Sequence, residues 1–367
     1  MSDDRCEVAA VDTVVKEDRA RDFRVQVIRD AAAALSGVAV SIGDRLGLYT
    51  AMADAGPLTS QQVAASTALV ERYVREWLAV QVASGYVDYD PAKKTYTLPD
   101  ERAAVLADPM SPTYLAGAFL RLQAAYATED QLVEAFHSGS GVGWDEHPEA
   151  LFFGTAKFFR SGYVANIVAG QGWLPALDDV VDKLTAGGWV ADVGCGYGYS
   201  TIVMAQAFPA STFVGFDYHR PSIESARKLV AEAGVGGRVS FEVASAQAFP
   251  GTEYDLITCY DCVHDMGDPA GAARHARQAI ADDGTWMIVE PNTSERLEDN
   301  ISNPVRRMFM AGSLIFCLPA ALAQHGPQAL GNHAGEQAIR DIVVGEGWGR
   351  WRRATETPVN LVYEARP

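Results

Sequence analysis

The second half of the chain, from residue 187 to residue 367, alternates short apolar runs with amphipathic stretches. Short apolar runs bounded by turn signals predict strands, and apolar residues three or four positions apart predict helices. The predicted strands cover 188–194, 212–217, 238–244, 254–261, 284–291, 348–357 and 359–367, and the predicted helices cover 199–208, 222–234 and 269–281. This alternation predicts an α/β fold with a mostly parallel sheet, whose ligands bind beyond the carboxyl ends of the strands.

The chain upstream of this region has a helical pattern. Residues 1–36 predict an arm that leads into a helix. Residues 37–110 predict three helices followed by a hairpin over 86–98, which is the pattern of a winged helix-turn-helix domain. Residues 111–186 predict connecting helices. We therefore expect an N-terminal arm, a winged-helix domain, connecting helices and an α/β domain, in that order.

Three alternating glycines, Gly194, Gly196 and Gly198, stand between the first strand and the first helix of the α/β region. Glycine permits a tight turn and leaves no side chain between the backbone and a ligand. Asp217, at the tip of the next strand, supplies a carboxylate that can accept both hydroxyl hydrogens of a ribose. A dinucleotide site would need a further glycine where Tyr199 stands, whereas S-adenosylmethionine has no phosphate and does not need it. The alternative is a turn that is rich in glycine for chain geometry alone.

Composition and charge narrow the possible functions. The formal net charge of −17 argues against gripping nucleic acid through phosphate contacts. The N-terminus lacks an apolar signal core and the apolar runs are shorter than a membrane span, so neither export nor a membrane partner is expected. Five cysteines at irregular spacing indicate reduced thiols and a cytoplasmic protein. Cys259 and Cys262 form one C-x-x-C without a second pair of ligands, so no metal is predicted.

The segments 190–200, 213–219 and 254–269 together resemble the class I S-adenosylmethionine-dependent methyltransferases. The resemblance covers 187–367 and implies a Rossmann-like, seven-stranded core with its last strand reversed. The predicted winged helix upstream is similar to that of the caffeic-acid-type O-methyltransferases and their bacterial small-molecule relatives. In that group the winged domain serves dimerisation and closes one side of the substrate pocket, so a homodimer is implied.

The resemblance also implies contacts to S-adenosylmethionine, or to the product S-adenosylhomocysteine. The three glycines would lie along its methionine and ribose, Asp217 would bind the ribose hydroxyls, and Tyr218 would flank the adenine. The remaining implied contacts are Asp192, Ser245, Ala246, Gln247, Tyr260 and Asp261. Ser245 stands where the family usually has an acidic residue, so its hydroxyl or Gln247 would have to bind the adenine. In the family the residue at the place of Asp192 often helps to hold the loop, and Asp192 could equally be a solvated carboxylate at a strand end.

His264 and Glu290 are the catalytic residues that the resemblance implies. The His-Asp pair in 259–269 matches the plant-type motif in which the histidine is the general base, and Glu290 falls where that group places a carboxylate that orients it. A sulfonium methyl is already a strong electrophile, so the enzyme mainly positions the acceptor and removes its proton. An imidazole with an ordinary pKa of about 6.5 suits that task. His264 could instead be a loop residue with a structural hydrogen bond.

The apolar insertion 295–335 follows the predicted fifth strand. In this class such an insertion usually forms a lid, and Met308, Phe309 and Phe316 would line the acceptor pocket. A helix that packs on the core is the alternative reading of the same pattern.

The expected function is methyl transfer from S-adenosylmethionine to a small-molecule acceptor, as O-methylation in secondary metabolism. The motifs report the donor and not the acceptor, so N- and C-methylation remain open. A winged-helix regulator that senses S-adenosylmethionine and a pseudo-enzyme that only binds it also remain open.

Overall fold

The structure is a computed structural model that describes residues 3–170 and 172–367, with side chains from residue 18 onward. The chain divides into two compact units, Met1–Leu122 and Gln123–Pro367. The sequence predicted boundaries near 110 and 186, whereas the division falls inside a helix at 122. The connecting helices that follow this point therefore belong to the same unit as the α/β core.

The first unit is helical with one small hairpin. Its elements are α1 (Asp3–Arg45), α2 (Leu48–Met52), α3 (Ser60–Thr67), α4 (Glu71–Ala83), β1 (Asp88–Asp90), β2 (Thr95–Thr97), α5 (Asp100–Leu106) and the start of α6 (Gly117–Ala127). Strands β1 and β2 pair antiparallel, as predicted. Thr59 caps α3 together with Gln62, in a reciprocal pair of side-chain and backbone hydrogen bonds.

The core of this unit forms where α1, α2 and α4 meet. The Trp77 ring packs edge-on against Tyr49, and its indole N–H donates to the carbonyl of Ala39 at 2.8 Å. The Tyr49 hydroxyl donates to the side-chain carbonyl of Gln81 at 2.6 Å, so both of these aromatic polar groups have a partner in the core. A Cβ on Gly43 would lie 2.5 Å from the Trp77 ring, and only glycine allows this approach.

The N-terminal segment differs from the prediction. The sequence predicts an arm that leads into a helix over 1–36 and a further helical pattern over 39–53, whereas one helix runs from Asp3 to Arg45. It ends before Gly47, whose φ of 67° lies in the left-handed region that favours glycine. The sequence prediction extended the next helix backward through this glycine because the apolar spacing continues on both sides of it.

The second unit contains the α/β core and the helices before it. Its helices are the rest of α6, α7 (Glu129–Ser138), α8 (Glu149–Asn166), α9 (Val180–Ala186), α10 (Tyr199–Ala207), α11 (Arg220–Glu232), α12 (Pro269–Ala279), α13 (Leu297–Asn300), α14 (Pro304–Gly312), α15 (Leu318–Ala323) and α16 (Gly335–Gly345). Its strands are β3 (Trp189–Val193), β4 (Thr212–Asp217), β5 (Val239–Val243), β6 (Tyr254–Tyr260), β7 (Ile280–Pro291), β8 (Arg350–Glu356) and β9 (Asn360–Arg366).

The seven strands form one sheet in the order β5-β4-β3-β6-β7-β9-β8. The pairs from β5 to β7 are parallel, and β9 runs antiparallel to both β7 and β8. The predicted α/β core with a reversed last strand is therefore confirmed. The chain order reverses beside β3, where β4 and β6 lie on its two sides, and such a point in an open sheet is where ligands bind.

Two core clusters cover the two faces of this sheet. Val190 and Leu256 belong to one cluster, and their sequence neighbours Ala191 and Ile257 belong to the other. The alternation follows from the two-residue period of a strand. Both faces are apolar because helices cover both, as expected for a parallel sheet.

The insertion after β7 is a long helix with a π turn in its middle. Helix α14, the π turn Ser313–Cys317 and α15 follow one another without a break. The stretches 18–45 and 304–323 are long and apolar enough to cross a membrane by length and composition alone. Core helices of globular proteins meet the same criterion, and the second stretch is 39% buried within the protein.

Candidate active site

The turn between β3 and α10 carries the three glycines, all with φ in the left-handed region. A Cβ on Gly194 would lie 2.7 Å from the Cys262 sulfur, and a Cβ on Gly198 would lie 2.3 Å from the Phe241 ring. Neither position tolerates a side chain. A Cβ on Gly196 would meet no atom within 4 Å, so this glycine faces open space where a ligand can approach the backbone.

Asp217 lies beside this turn at the end of β4. One of its carboxylate oxygens accepts the Gly196 N–H at 2.9 Å, and the other accepts the His219 N–H at 2.8 Å. Burial raises the pKa of Asp217 and outweighs these two donors. Tyr218, the next residue, remains about half exposed. Each carboxylate oxygen has a second lone pair, so the group can still accept ligand hydroxyls.

The segment Ser245–Gln247 runs beside Asp217, because the Ala244 N–H donates to the Asp217 carbonyl at 3.2 Å. Gln247 does not point freely into the site: its side-chain amide donates to the carbonyl of Asp268 at 3.1 Å. Ala246 packs against the core cluster of one sheet face. Ser245 therefore keeps the more accessible polar side chain of this segment.

Asp192 lies at the end of β3, where the expectation that it helps to hold the loop agrees with its contacts. It is fully buried, and its carboxylate accepts hydroxyl hydrogens from Ser200 and Thr201 at 2.6 Å and from Thr258 at 2.9 Å. It is not a solvated strand-end carboxylate, and it is enclosed by protein groups instead of facing a ligand. Burial outweighs the three hydroxyl donors and raises the pKa of Asp192 to about 6.

Tyr260 also departs from the prediction. Its side chain is buried, and its hydroxyl lies 3.4 Å from the sulfur of Met204. Its ring packs beside Tyr163 and Trp173 in the core. The phenol is therefore part of the packing beneath the site and does not face a cofactor.

Asp261, one residue later, lies at the end of β6 with a φ of 49°, which is unusual for a residue other than glycine. One carboxylate oxygen accepts from the side chain of Asn360 at 2.8 Å, and the other is buried with no hydrogen-bond partner in the described chain. Burial, followed by the charge of Glu290, raises the pKa of Asp261 well above its ordinary value.

His264 and Glu290 meet as predicted. The Nδ1 atom of His264 lies 2.5 Å from Glu290 Oε2, and Glu290 Oε1 accepts the Val263 N–H at 3.1 Å. Both side chains are buried. With the Nδ1 proton donated to Glu290, the ring is held so that Nε2 faces the other way, toward Asp265 Oδ1 at 3.2 Å.

The charge state of His264 differs from the prediction of an ordinary imidazole. Burial alone would lower its pKa, but the carboxylates of Asp265 and Glu290 and the nearby Cys317 thiol raise it more. The net effect is a pKa well above the ordinary value. A histidine of this kind is a stronger base, and a smaller fraction of it is neutral at pH 7.

The predicted pocket residues of the insertion differ in how far they are exposed. Phe309 and Phe316 are buried, whereas Met308 leaves 41% of its surface exposed. Phe316 lies within the π turn and contacts the ring of His147, with ring centroids 5.6 Å apart. Of the three predicted residues, Phe316 is the one that the structure brings next to the loop of His264, through its neighbour Cys317.

The segment before α8 and the start of α8 contribute residues that the sequence analysis missed. Trp144, His147 and Phe152 cluster with Phe316, and the centroid of the Phe152 ring lies 4.1 Å from that of His219. These residues belong to no motif, so no local signal indicated the contact. Asn360 was also missed, although the antiparallel register predicts that the first residue of β9 lies beside the end of β7.

The chain matches two family models, in the order that the sequence predicted. Residues 33–108 match a winged HTH domain described as Rv2258c-like, and residues 184–325 match a methyltransferase domain. Among curated proteins, the chain is 32% identical to the ubiquinone biosynthesis O-methyltransferase of Thiobacillus denitrificans over 107 residues, which is 28% of this chain and 44% of that protein. The chain thus spans less than half the length of this relative.

Solved structures resemble the whole chain. The alignment with human N-acetylserotonin methyltransferase in complex with S-adenosylmethionine covers 93% of this chain and 96% of that chain, with a TM-score of 0.67 and 16% identity. The alignment with the mitomycin 7-O-methyltransferase MmcR covers 95% of this chain and 100% of that chain, with a TM-score of 0.66 and 17% identity. At these identities the likeness shows the fold.

The chain therefore contains a winged HTH domain followed by a methyltransferase domain, in the order that the motifs predicted. Its fold is like that of the solved methyltransferases.

The buried carboxyl of Asp192 should make stability depend on pH. Its pKa of about 6 in the folded protein exceeds the ordinary value of ~3.9, so the stability it contributes is fully present below pH ~4 and is lost as the pH rises through 6. Between pH 4 and pH 7 the wild type should lose about 1–3 kcal/mol of unfolding free energy that Asp192→Asn does not lose. Urea unfolding at a series of pH values measures this difference.

Asp283→Asn is the matched control. Lys183 lowers the pKa of this exposed carboxyl, so removing the charge should change the pH dependence slightly and with the opposite sign. Equal pH dependence in Asp192→Asn and wild type would contradict the assignment.

Proposed function

We propose that the protein transfers the methyl group of S-adenosylmethionine to a hydroxyl of a small-molecule acceptor. The observation that carries the proposal is a cradle at the carboxyl ends of β3, β4 and β6. Three features of this cradle complement the chemical groups of the donor. They are the open backbone at Gly196, the carboxylate of Asp217 and the buried, unpartnered oxygen of Asp261.

The donor fits these groups by charge and by shape. A ribose beside Gly196 would donate its hydroxyls to Asp217, which the Gly196 N–H already holds in place. The α-ammonium of the methionine part would satisfy the free oxygen of Asp261, while Asn360 holds its other oxygen. A buried carboxylate oxygen without a donor is costly by itself, and a cationic ligand removes that cost.

The adenine would lie between Tyr218 and the segment 245–247. Because Gln247 is bonded to the backbone of Asp268, Ser245 is the side chain in this segment that we assign to the adenine amino group. Ala246 would offer an apolar surface there. Asp192 and Tyr260 support the cradle from below.

The dyad of His264 and Glu290 would remove the proton of the acceptor. When the donor is bound, its sulfonium supplies the methyl group as an electrophile. The acceptor hydroxyl would replace the carboxylate of Asp265 at His264 Nε2, which is feasible because Asp265 is partly exposed. As the new C–O bond forms and the C–S bond breaks, Nε2 takes the hydroxyl proton, and Glu290 stabilises the resulting imidazolium.

The acceptor pocket would lie under the insertion after β7. Phe316 and the ring cluster of Trp144, His147 and Phe152 line its buried side, and Phe309 supports it. Such a surface fits a largely apolar acceptor of small size. The curated relatives and MmcR are named as O-methyltransferases, which supports oxygen as the accepting atom.

The first unit would serve association between two copies of the chain in the cytoplasm. Helix α1 exposes a stripe of apolar side chains over two turns and more, including Phe23, Val27, Ile28, Leu35 and Val38. An exposed apolar stripe of this length calls for a partner surface. In α4, the helix that could read DNA, Arg72 pairs with Glu76, which leaves that face without net positive charge.

Donor binding tests the cradle directly. Calorimetry should show that the wild type binds S-adenosylhomocysteine, and that Asp217→Ala weakens it by about 1.5–3 kcal/mol through lost charge-assisted hydrogen bonds. Asp282→Ala, which removes an exposed carboxylate, should bind like the wild type. Binding of NAD but of neither sulfur-containing ligand would refute the proposal.

The base assignment is tested by His264→Ala in an assay with labelled donor and a panel of phenols, carboxylates and amines. Its kcat should fall by about 10²–10⁴-fold while its affinity for S-adenosylhomocysteine stays nearly unchanged. Glu290→Gln should cost less, because it disturbs only orientation and charge. His137→Ala, at an exposed histidine of α7, is the control. Near-full activity of His264→Ala would show that positioning alone suffices.

The proposed homodimer is tested by light scattering coupled to size exclusion. The wild type should elute with twice the mass of one chain, and the double change Ile28→Asp with Leu35→Asp should give monomers, because it places charges in the apolar stripe. Leu297→Asp, at an exposed leucine of the second unit, should leave the mass unchanged. A wild-type monomer at micromolar concentration would contradict the dimer.

A further inference from the structure

Three potential metal ligands converge at the far side of the His264 ring. The ligand atoms of His264, Asp265 and Cys317 all lie within 4.8 Å of one another. His264 and Cys317 are buried, and Asp265 is partly buried. The ligands come from the loop after β6 and from the π turn of the insertion, which are 52 residues apart between Asp265 and Cys317, so no spacing motif in the sequence indicates them.

We propose that His264, Asp265 and Cys317 bind a zinc-like divalent cation, and that this cation blocks the proposed catalytic base. One imidazole nitrogen, one thiolate and one carboxylate are ligands that Zn²⁺ takes in tetrahedral sites, with water or a ligand group in the fourth position. Soft thiolate and imidazole donors favour Zn²⁺ over Mg²⁺ or Ca²⁺. The inhibitory part of this inference rests on the proposed function, whereas the binding part does not.

The groups around the three ligands are those that a metal site requires. A metal-bound histidine commonly donates its other ring N–H to a carboxylate, and Glu290 accepts from His264 Nδ1 at 2.5 Å. This bond leaves Nε2 as the atom directed at Asp265 and Cys317. The side-chain amide of Asn332 lies 3.7 Å from the Cys317 sulfur, where it can donate to a thiolate. Both outer contacts are present without a metal.

The two segments that carry the ligands are already tied together. The side-chain amide of Gln324 donates to the Asp265 carbonyl at 2.7 Å, and its carbonyl oxygen accepts the Gly267 N–H at 3.0 Å. The insertion helix that carries Cys317 is thus fixed to the loop that carries His264. The three ligand side chains would therefore need little further ordering when a cation binds. Preorganised ligands bind more tightly, because less conformational entropy is lost.

Binding of the cation and action as a base exclude each other. The thiol of Cys317 would give up its proton, and the imidazole of His264 would bind in its neutral form, with protons released to solvent. The Nε2 lone pair would then be used by the cation and could not accept the proton of an acceptor hydroxyl. The expected consequence is reversible inhibition of methyl transfer by Zn²⁺.

Binding is tested with Co²⁺ as a spectroscopic substitute, on the full-length protein under reducing conditions. We expect one equivalent of Co²⁺ to give thiolate-to-cobalt absorption and the visible bands of a tetrahedral site, both removed by added Zn²⁺. Cys317→Ser should abolish the thiolate absorption, and Asn332→Ala should weaken binding by about 10–100-fold. Far-ultraviolet circular dichroism and S-adenosylhomocysteine binding verify that each variant is folded.

Cys262→Ser is the matched control, because it removes a thiol of the nearby C-x-x-C and leaves the proposed ligands intact. It should keep the cobalt spectrum. A spectrum that survives in Cys317→Ser, or that is lost in Cys262→Ser instead, would overturn the proposed site.

The inhibitory part needs a second measurement. Zn²⁺ should inhibit methyl transfer by the wild type and a chelator should restore it, while Cys317→Ser should be at least about 10-fold less sensitive relative to its own zinc-free rate. Activation by Zn²⁺, or equal inhibition of Cys317→Ser, would overturn the inhibition. If no acceptor is methylated under any condition, the proposed function fails, and the cobalt spectrum still decides whether the site exists.

Discussion

The buried carboxylate of Asp192 is the group on which the geometry of the site depends. It stands in β3 and accepts hydrogen bonds from Ser200 and Thr201, in the first turn of α10, and from Thr258 in β6. These bonds fix the start of α10 relative to β3 and β6. They thereby restrict the conformation of the glycine turn that joins β3 to α10. Asp217 contacts this turn, because its carboxylate accepts the Gly196 N–H. An acid buried this deeply is costly, and its three donors offset part of that cost.

Sequence reasoning succeeded where the signal was local or topological. The glycine turn and the hairpin of β1 and β2 follow from residues close together in the chain, and the reversed last strand follows from the family resemblance. The meeting of His264 with Glu290 was also predictable, because carboxyl ends of adjacent parallel strands lie at one edge of a sheet. No precise distance was needed for these inferences.

It failed where one position decides which way a side chain faces. Tyr260 and Asp261 are neighbours at the end of β6, and the period of two sends the first into the core and the second toward the site. Both residues were predicted to contact the cofactor from the same motif, and that motif does not indicate which side of the strand each side chain faces. Cys317 was missed for another reason: its contact with the His264 loop depends on how a long insertion folds back, and nothing near it in the sequence encodes that path.

The π turn in the insertion helix has a consequence for comparing this chain with others. A π turn holds one residue more than the α-helical turn it replaces, so it shifts the angular phase of all that follows by about 100°. Phe316 and Cys317 lie in this turn and are buried. A homologue whose helix is one residue shorter here can align with similar residue types and still turn a different face of the helix toward the site. Equivalence across this helix must therefore be assigned by angle around the axis, not by column in an alignment.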